Sequence, residues 1–326
     1  MNEGANRAPK CRRGLKAQMT KDLPWLEKKL QPLLDLGKKA ATVWPEIRNE
    51  FGPWTCLKLI ALRYHTTLYT TIMNKRLEAL GFESIVYVDV LAGSGLNVIR
   101  DTGSLVGGSS IIASESPKRK FDFLLAIEND PDYARALDRR LREFRQQETF
   151  KVIPYDAELH ADTIEKHLQT LRAHYVAFVD YEGMYGFPWR NMEVLLRHRG
   201  DLFITFIPNV GRVWDRDWEA DREAVAQLFG EDIPIRARTR DDLYRLYLEK
   251  IRSFRPHTLD IKIRSGSAYY YMLIFAAGQT SPPAWFGALR KLKEKIEQFD
   301  GDDVKNALDR LEKRQKTIRP EPRHWF

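Results

Sequence analysis

Residues 86–95 read V-Y-V-D-V-L-A-G-S-G. A run of β-formers ends in an acid, Asp89, and a turn that contains Gly93 and Gly95. A strand that stops in two spaced glycines needs backbone angles other residues avoid, or needs a ligand to approach the backbone. Both readings place a tight strand-to-helix turn here. Its place at the end of a predicted strand makes it a candidate cofactor loop.

Working outward, strands and helices alternate. Ile85–Val90 reads as a strand, Ser109–Ser114 as the start of a helix and Phe121–Ile127 as a second strand. Pro131–Phe144 is a charged amphipathic helix and Phe150–Ile153 a short strand. A helix over Ala161–Ala173, a strand at Tyr175–Val179, a helix at Trp189–Arg197 and a strand at Leu202–Ile207 follow. This alternation predicts a parallel, doubly wound sheet. It breaks at the end: Thr258–Ile263 and Ala268–Ala276 flank a Ser-Gly-Ser turn, as an antiparallel hairpin does. Upstream, Asp22-Leu23-Pro24-Trp25 opens a helix with Leu26, Leu30, Leu33 and Leu34 on one face, and Thr55–Leu80 repeats apolar residues at helical spacing before Gly81 stops it.

The organisation expected is therefore a basic lead-in and helices over 1–80 and a Rossmann-like core over 81–213. A helical insertion or cap over 214–256, a closing hairpin over 257–283 and a basic helical tail over 284–326 complete it. The fold class expected is α/β, with a mostly parallel sheet closed by an antiparallel hairpin and added helices, the layout of class I methyltransferases.

Composition sets the frame. The chain has 326 residues, 43% hydrophobic and 30% charged, as ordinary globular proteins do. No apolar run is long enough for a membrane span, and the basic N-terminal stretch lacks the apolar segment of a secretory signal. Two cysteines, Cys11 and Cys56, cannot form a disulfide framework, so a reducing cytoplasm is the expected location. The net charge of +8 favours phosphate-bearing partners and makes nucleic acid a candidate partner.

Strand ends supply the remaining candidates. The second strand delivers Glu128, Asn129 and Asp130. A carboxylate there can take both hydroxyls of a ribose, while Asp130-Pro131 would also cap the next helix. The gap from Asp89 to Glu128 is about twice the ~20 residues usual for a ribose acid; the Gly103 and Gly107-Gly108 segment within it either lines the pocket or merely connects. Asp156, after the third strand, is a candidate for an adenine amino group or a helix cap. The fourth strand ends in Asp180, Tyr181 and Glu182, then aromatics and glycines, at the edge where open α/β folds bind ligands. Asp180 could position or deprotonate an acceptor. Asn209 could line the same cleft or serve a turn. The third glycine of a dinucleotide fingerprint is missing, because Leu96, Asn97 and Val98 follow Gly95. No histidine pair has zinc-binding spacing, and a Mg²⁺ hydrolase using Asp180, Glu182 and Asp156 has no spacing motif behind it.

Taken together, Lys58 to Tyr64, Tyr87 to Gly95, Gly107-Gly108-Ser109, Glu128 to Pro131, and Val179-Asp180 leading to Trp189 resemble the three-Cys-motif partner proteins (TcmP), over roughly residues 50–280. The departure is Asp180-Tyr181-Glu182-Gly183, where that family tends to have Asp-Pro-aromatic-Gly. The resemblance implies a methyltransferase-like Rossmann fold and, as a partner, a protein with a three-cysteine motif. S-adenosylmethionine (SAM) is the expected cofactor. Asp89, Ala92, Gly93 and Gly95 would hold its methionine end, Glu128 and Asn129 its ribose and Asp156 its base. Asp180, Tyr181 and Glu182 would face the methyl acceptor. The competing reading is a non-catalytic binding module, with Trp214, Trp218, Tyr244 and Tyr247 either contacting a partner or packing the inserted helices.

Overall fold

The computed structural model describes residues 21–115, 119–154, 160–180, 187–207, 225–230, 239–266, 269–278 and 283–318. Helix α1 (Leu23–Ala40) begins where the Asp22 side chain accepts the Trp25 N–H, with Pro24 in the first turn. Strand β1 (Asn49–Phe51) precedes α2 (Thr55–Arg76). Then follow β2 (Ser84–Val90), β3 (Leu96–Ile99), β4 (Leu105–Gly107), α3 (Ser109–Ser114), β5 (Phe123–Glu128), α4 (Pro131–Arg142) and β6 (Phe150–Pro154). The second half holds α5 (His160–Thr170), β7 (Ala173–Val179), α6 (Trp189–Arg197), β8 (Gly200–Phe206), α7 (Arg240–Phe254), β9 (His257–Arg264), β10 (Tyr270–Ala277), α8 (Pro283–Ile296) and α9 (Gly301–Ile318).

Seven strands form the main sheet in the order β6-β5-β2-β7-β8-β10-β9. The first five are parallel; β10 runs antiparallel to both β8 and β9. This is the Rossmann-like class I methyltransferase order, with the closing hairpin that the glycine turn near residue 266 predicts. The strand order reverses between β2 and β7. In doubly wound sheets the crevice beyond the strand ends at that point is where ligands bind.

Alternation along each strand feeds two cores. Ile85 and Tyr87 of β2 and Val176 and Phe178 of β7 face one layer, shared with α1, α2, α3, α4, α8 and α9. Val86, Val88 and Val90, with Tyr175, Ala177 and Val179, face the other, shared with α5, α6 and α7. The N-terminal helices are therefore continuous with the core of the sheet. Helix α2 lies so deep that its first two turns are buried on every side, a departure from the one-sided pattern its leucines suggest. At the far end α1 meets the C-terminal helices: Trp25 stacks on Phe299 at 5.7 Å between centroids, and Lys21 and Lys295 pair with Asp303 and Asp22.

Three boundaries differ from expectation. Ala173 starts β7 and does not end α5; its side chain is buried in the sheet. The basic tail is two helices, broken around Phe299, whose ring fills the joint against Trp25. The glycine turn does not run straight into a helix. Gly95 leads into the hairpin β3–β4, and β1 joins it in parallel to make a second, three-stranded sheet. That insertion accounts for the long gap between Asp89 and Glu128. Among the described residues no helix is long and apolar enough to cross a membrane.

Candidate functional site

At the carboxyl ends of β2, β5 and β7 lies a cleft of about 680 Å³. Its walls include Ala92 and Gly93 from the turn, Glu128 at the end of β5 with Asn129 after it, and Asp180 after β7. Asn49, Thr55, Lys58, Asn97 and Ser109 also line it.

The turn is held by its neighbours. Leu91, Gly93 and Gly95 all have positive φ, at 59°, 66° and 80°; for Leu91 this is a strained state. The Ala92 N–H bonds to the Ile127 carbonyl at 2.9 Å and so ties the turn to β5. Asn49 accepts the Ser94 N–H at 2.8 Å through Oδ1, the atom that a side chain at residue 93 would meet. Gly95 donates no surface to the cleft: a Cβ there would lie 2.8 Å from Leu137 Cδ1. The Ser94 carbonyl accepts from Arg140 at 2.6 Å.

Arg140 is fully buried, and its guanidinium donates to five carbonyls, those of Ala40, Val43, Trp44, Ile47 and Ser94, at 2.6–3.2 Å. It clamps the loop ahead of β1 to the glycine turn. Desolvation, opposed only in part by the charge of Glu46, pulls its pKa down to about 10.

Three carboxylates converge here in different states. Asp89 is wholly buried. Ser109 Oγ, at 2.7 Å, and Ser110 Oγ, at 2.5 Å, donate to its Oδ2, and Oδ1 has no partner among the described residues. Burial pushes its pKa up to about 7; the two serine hydroxyls oppose the shift, and the charges of Asp180 and Glu128 add to it. Asp89 thus sits behind the cleft, with Ser109 between. Glu128 accepts the Gly93 N–H at 2.6 Å and the Asp130 N–H at 2.9 Å, one on each oxygen. Burial raises its pKa too, against those backbone donors. Asp130 also borders the cleft, but its Oδ1 is taken up in capping α4, where it accepts from Asp132 and Tyr133. Asp180 Oδ2 lies 2.5 Å from Lys58 Nζ, an ion pair whose side chains are 21% and 8% exposed.

Asn49, Lys58 and Arg140 were invisible as site residues in the sequence. Lys58 falls inside a helical apolar repeat and Arg140 on a charged helix face. Asp156, Tyr181, Glu182, Asn209, Trp214 and Trp218 lie outside the described residues. Tyr247 and Tyr244 pack on Phe206, in the layer under α7. Among the described residues no cluster of His, Cys, Asp and Glu could hold a metal ion.

No protein-family model matches the chain, and no curated protein matches it. Solved structures do resemble it. M. jannaschii TYW2 in complex with AdoMet is 14% identical with a TM-score of 0.31, over 64% of this chain and 74% of the other. The O-methyltransferase TomG from Streptomyces achromogenes, in complex with SAM, is 14% identical with a TM-score of 0.37, over 66% and 79%. An O-methyltransferase from Bacillus cereus, in complex with SAH, is 12% identical with a TM-score of 0.37, over 79% and 92%.

Proposed function

We propose that this chain is a SAM-dependent methyltransferase whose cofactor lies in the cleft at the β2–β7 reversal. One observation carries the reading: the glycine turn, Glu128 and Asp180 line a single cleft at the topological switch point.

The residues present suit the cofactor chemically. Glu128 accepts backbone N–H groups from Gly93, Asp130 and Asn129, and its two oxygens together keep acceptor capacity for a ribose hydroxyl. The turn brings Ala92 and Gly93 to the cleft wall, beside the side chains of Asn49 and Leu91. Asp89 Oδ1 is a buried acceptor without a donor among the described residues, and the serine hydroxyls bonded to Oδ2 hold the carboxyl in place. When bound, SAM supplies a methyl group on a sulfonium, which passes to an acceptor lone pair while S-adenosylhomocysteine (SAH) departs and the acceptor proton is lost to a base or water. The protein's part is alignment and electrostatics. In this reading Glu128 orients the ribose, the Leu91–Gly93 backbone holds the methionine end, and Asp180 faces the acceptor.

The finer reading is a nucleic-acid acceptor, supported by the net charge of +8. The motifs shared with three-Cys-motif partner proteins support an assembly with a protein of the three-cysteine kind.

Calorimetric titration with SAM and SAH tests the cofactor reading. Saturable binding to the native chain, weakened about tenfold in Glu128→Gln, is the expected result. No binding of either ligand at millimolar concentration would overturn it.

A further inference from the structure

Lys58 is the one lysine or arginine that lines this cleft among the described residues, and it is placed at some cost. An ammonium that is 8% exposed loses most of its hydration. Asp180 compensates it at 2.5 Å. The rings of Phe51, Phe178 and Tyr271 surround the nitrogen at 5.7–5.9 Å from their centroids and also favour a cation. Asp180 Oδ1 has no hydrogen-bond partner among the described residues. The pair is therefore close to neutral as a unit, and it lines the same cleft as Glu128. Asp180 also acts on Asp89 electrostatically, because its negative charge helps hold the Asp89 carboxyl protonated.

SAM carries a net positive charge through its sulfonium, and SAH carries none. Two ligands that differ only by one methyl group and the charge it brings to sulfur are thus distinguished by the charge of the wall they meet. We propose that Lys58 is a positioning and charge-setting residue. By neutralising and fixing Asp180, it sets how strongly the cleft prefers the cationic cofactor to its neutral product. This inference rests on the methyltransferase reading.

Removing either partner of the pair shifts the preference in opposite directions. Lys58→Met leaves Asp180 as an uncompensated carboxylate, so the ratio of SAH to SAM dissociation constants rises. Asp180→Asn leaves the ammonium among the aromatic rings, so the ratio falls. A unit charge acting across a partly screened cleft gives changes on the order of threefold to tenfold. Lys58→Arg keeps the ratio near that of the native chain, and the Lys58→Met/Asp180→Asn double variant returns toward it.

The experiment is calorimetric titration of the native chain and these four variants with SAM and SAH, with thermal melts to verify folding. Ratio changes of opposite sign in the two single variants are the expected result. A purely structural role would weaken both ligands by one factor, and ratios within about twofold of the native value in both variants would overturn the proposal. If Lys58→Met fails to fold, Asp180→Asn and Lys58→Arg still decide the sign. If the native chain binds neither ligand, the cofactor reading fails and this inference falls with it.

Discussion

Arg140 and Lys58 are both buried cations within reach of the same turn, yet they are held in opposite ways. Arg140 is satisfied by backbone carbonyls from the end of α1, the loop after it and the glycine turn. Lys58 is satisfied by one carboxylate at the cleft wall. Carbonyls cannot titrate and are locked to the chain trace, so the first cation is architecture. A carboxylate is a mobile, ionisable partner, so the second sets a local field. The cleft thus divides into a region where charge fixes shape and one where charge meets ligand.

The largest expected effect breaks or keeps that division. Arg140→Met strands five carbonyls, and it should cost about 5 kcal/mol, read as a lowered urea midpoint. An unchanged midpoint with altered SAM affinity would place Arg140 on the ligand side. Asp89 lies between the two regions. Its carboxyl titrates near 4 in the unfolded chain and near 7 when folded. The folded state then binds the extra proton, so stability is fullest below about pH 4 and declines as pH rises through 7, by about 4 kcal/mol in all from this group. Asp89→Asn, which keeps an acceptor for Ser109 and Ser110, should flatten that decline in urea titrations at pH 5 and pH 8. A parallel slope in the variant would assign it elsewhere.

Smaller effects sharpen the boundary. Gly95→Ala puts a side chain at positive φ and against Leu137; a loss of about 2 kcal/mol is expected, visible as a lowered melting temperature with ligand affinity changed only through the turn. Glu128→Gln should lean the other way: SAM binding weaker by about tenfold, or roughly 1.4 kcal/mol, against a stability loss of about 1 kcal/mol, because the amide nitrogen cannot accept one of the two backbone N–H groups that the carboxylate holds. Equal losses of stability and affinity in both variants would mean the turn and the cleft wall are one cooperative unit.

What could be read from sequence followed from local periodicity. The parallel strands, the closing hairpin, and the arrival of Gly93, Glu128 and Asp180 at one edge all come from alternation and from what ends each strand. The three-stranded sheet escaped because β1 and β3 are short and separated by more than forty residues of sequence, with no turn signal between them to announce the pairing. Lys58 and Arg140 escaped because a lone cation in a helix looks the same whether it faces water or a buried partner. Asp89 was legible as an acid at the turn, but its serine shell arrives from α3, beyond the inserted hairpin.

The docking of α1 against the end of the chain has a consequence for synthesis. Leu26, Leu30 and Leu33 are wholly buried in a cluster that also includes Leu308 and Leu311 of α9. On a ribosome that adds roughly 5–20 residues per second, α2, α3 and β4 reach α1 early, but α9 emerges many seconds after it. Over that interval the part of the α1 stripe that α9 covers is open to chaperones and to other nascent chains. Closure of this layer is thus a late event in biogenesis, and a ribosome stalled before residue 301 would release a chain with a sticky first helix.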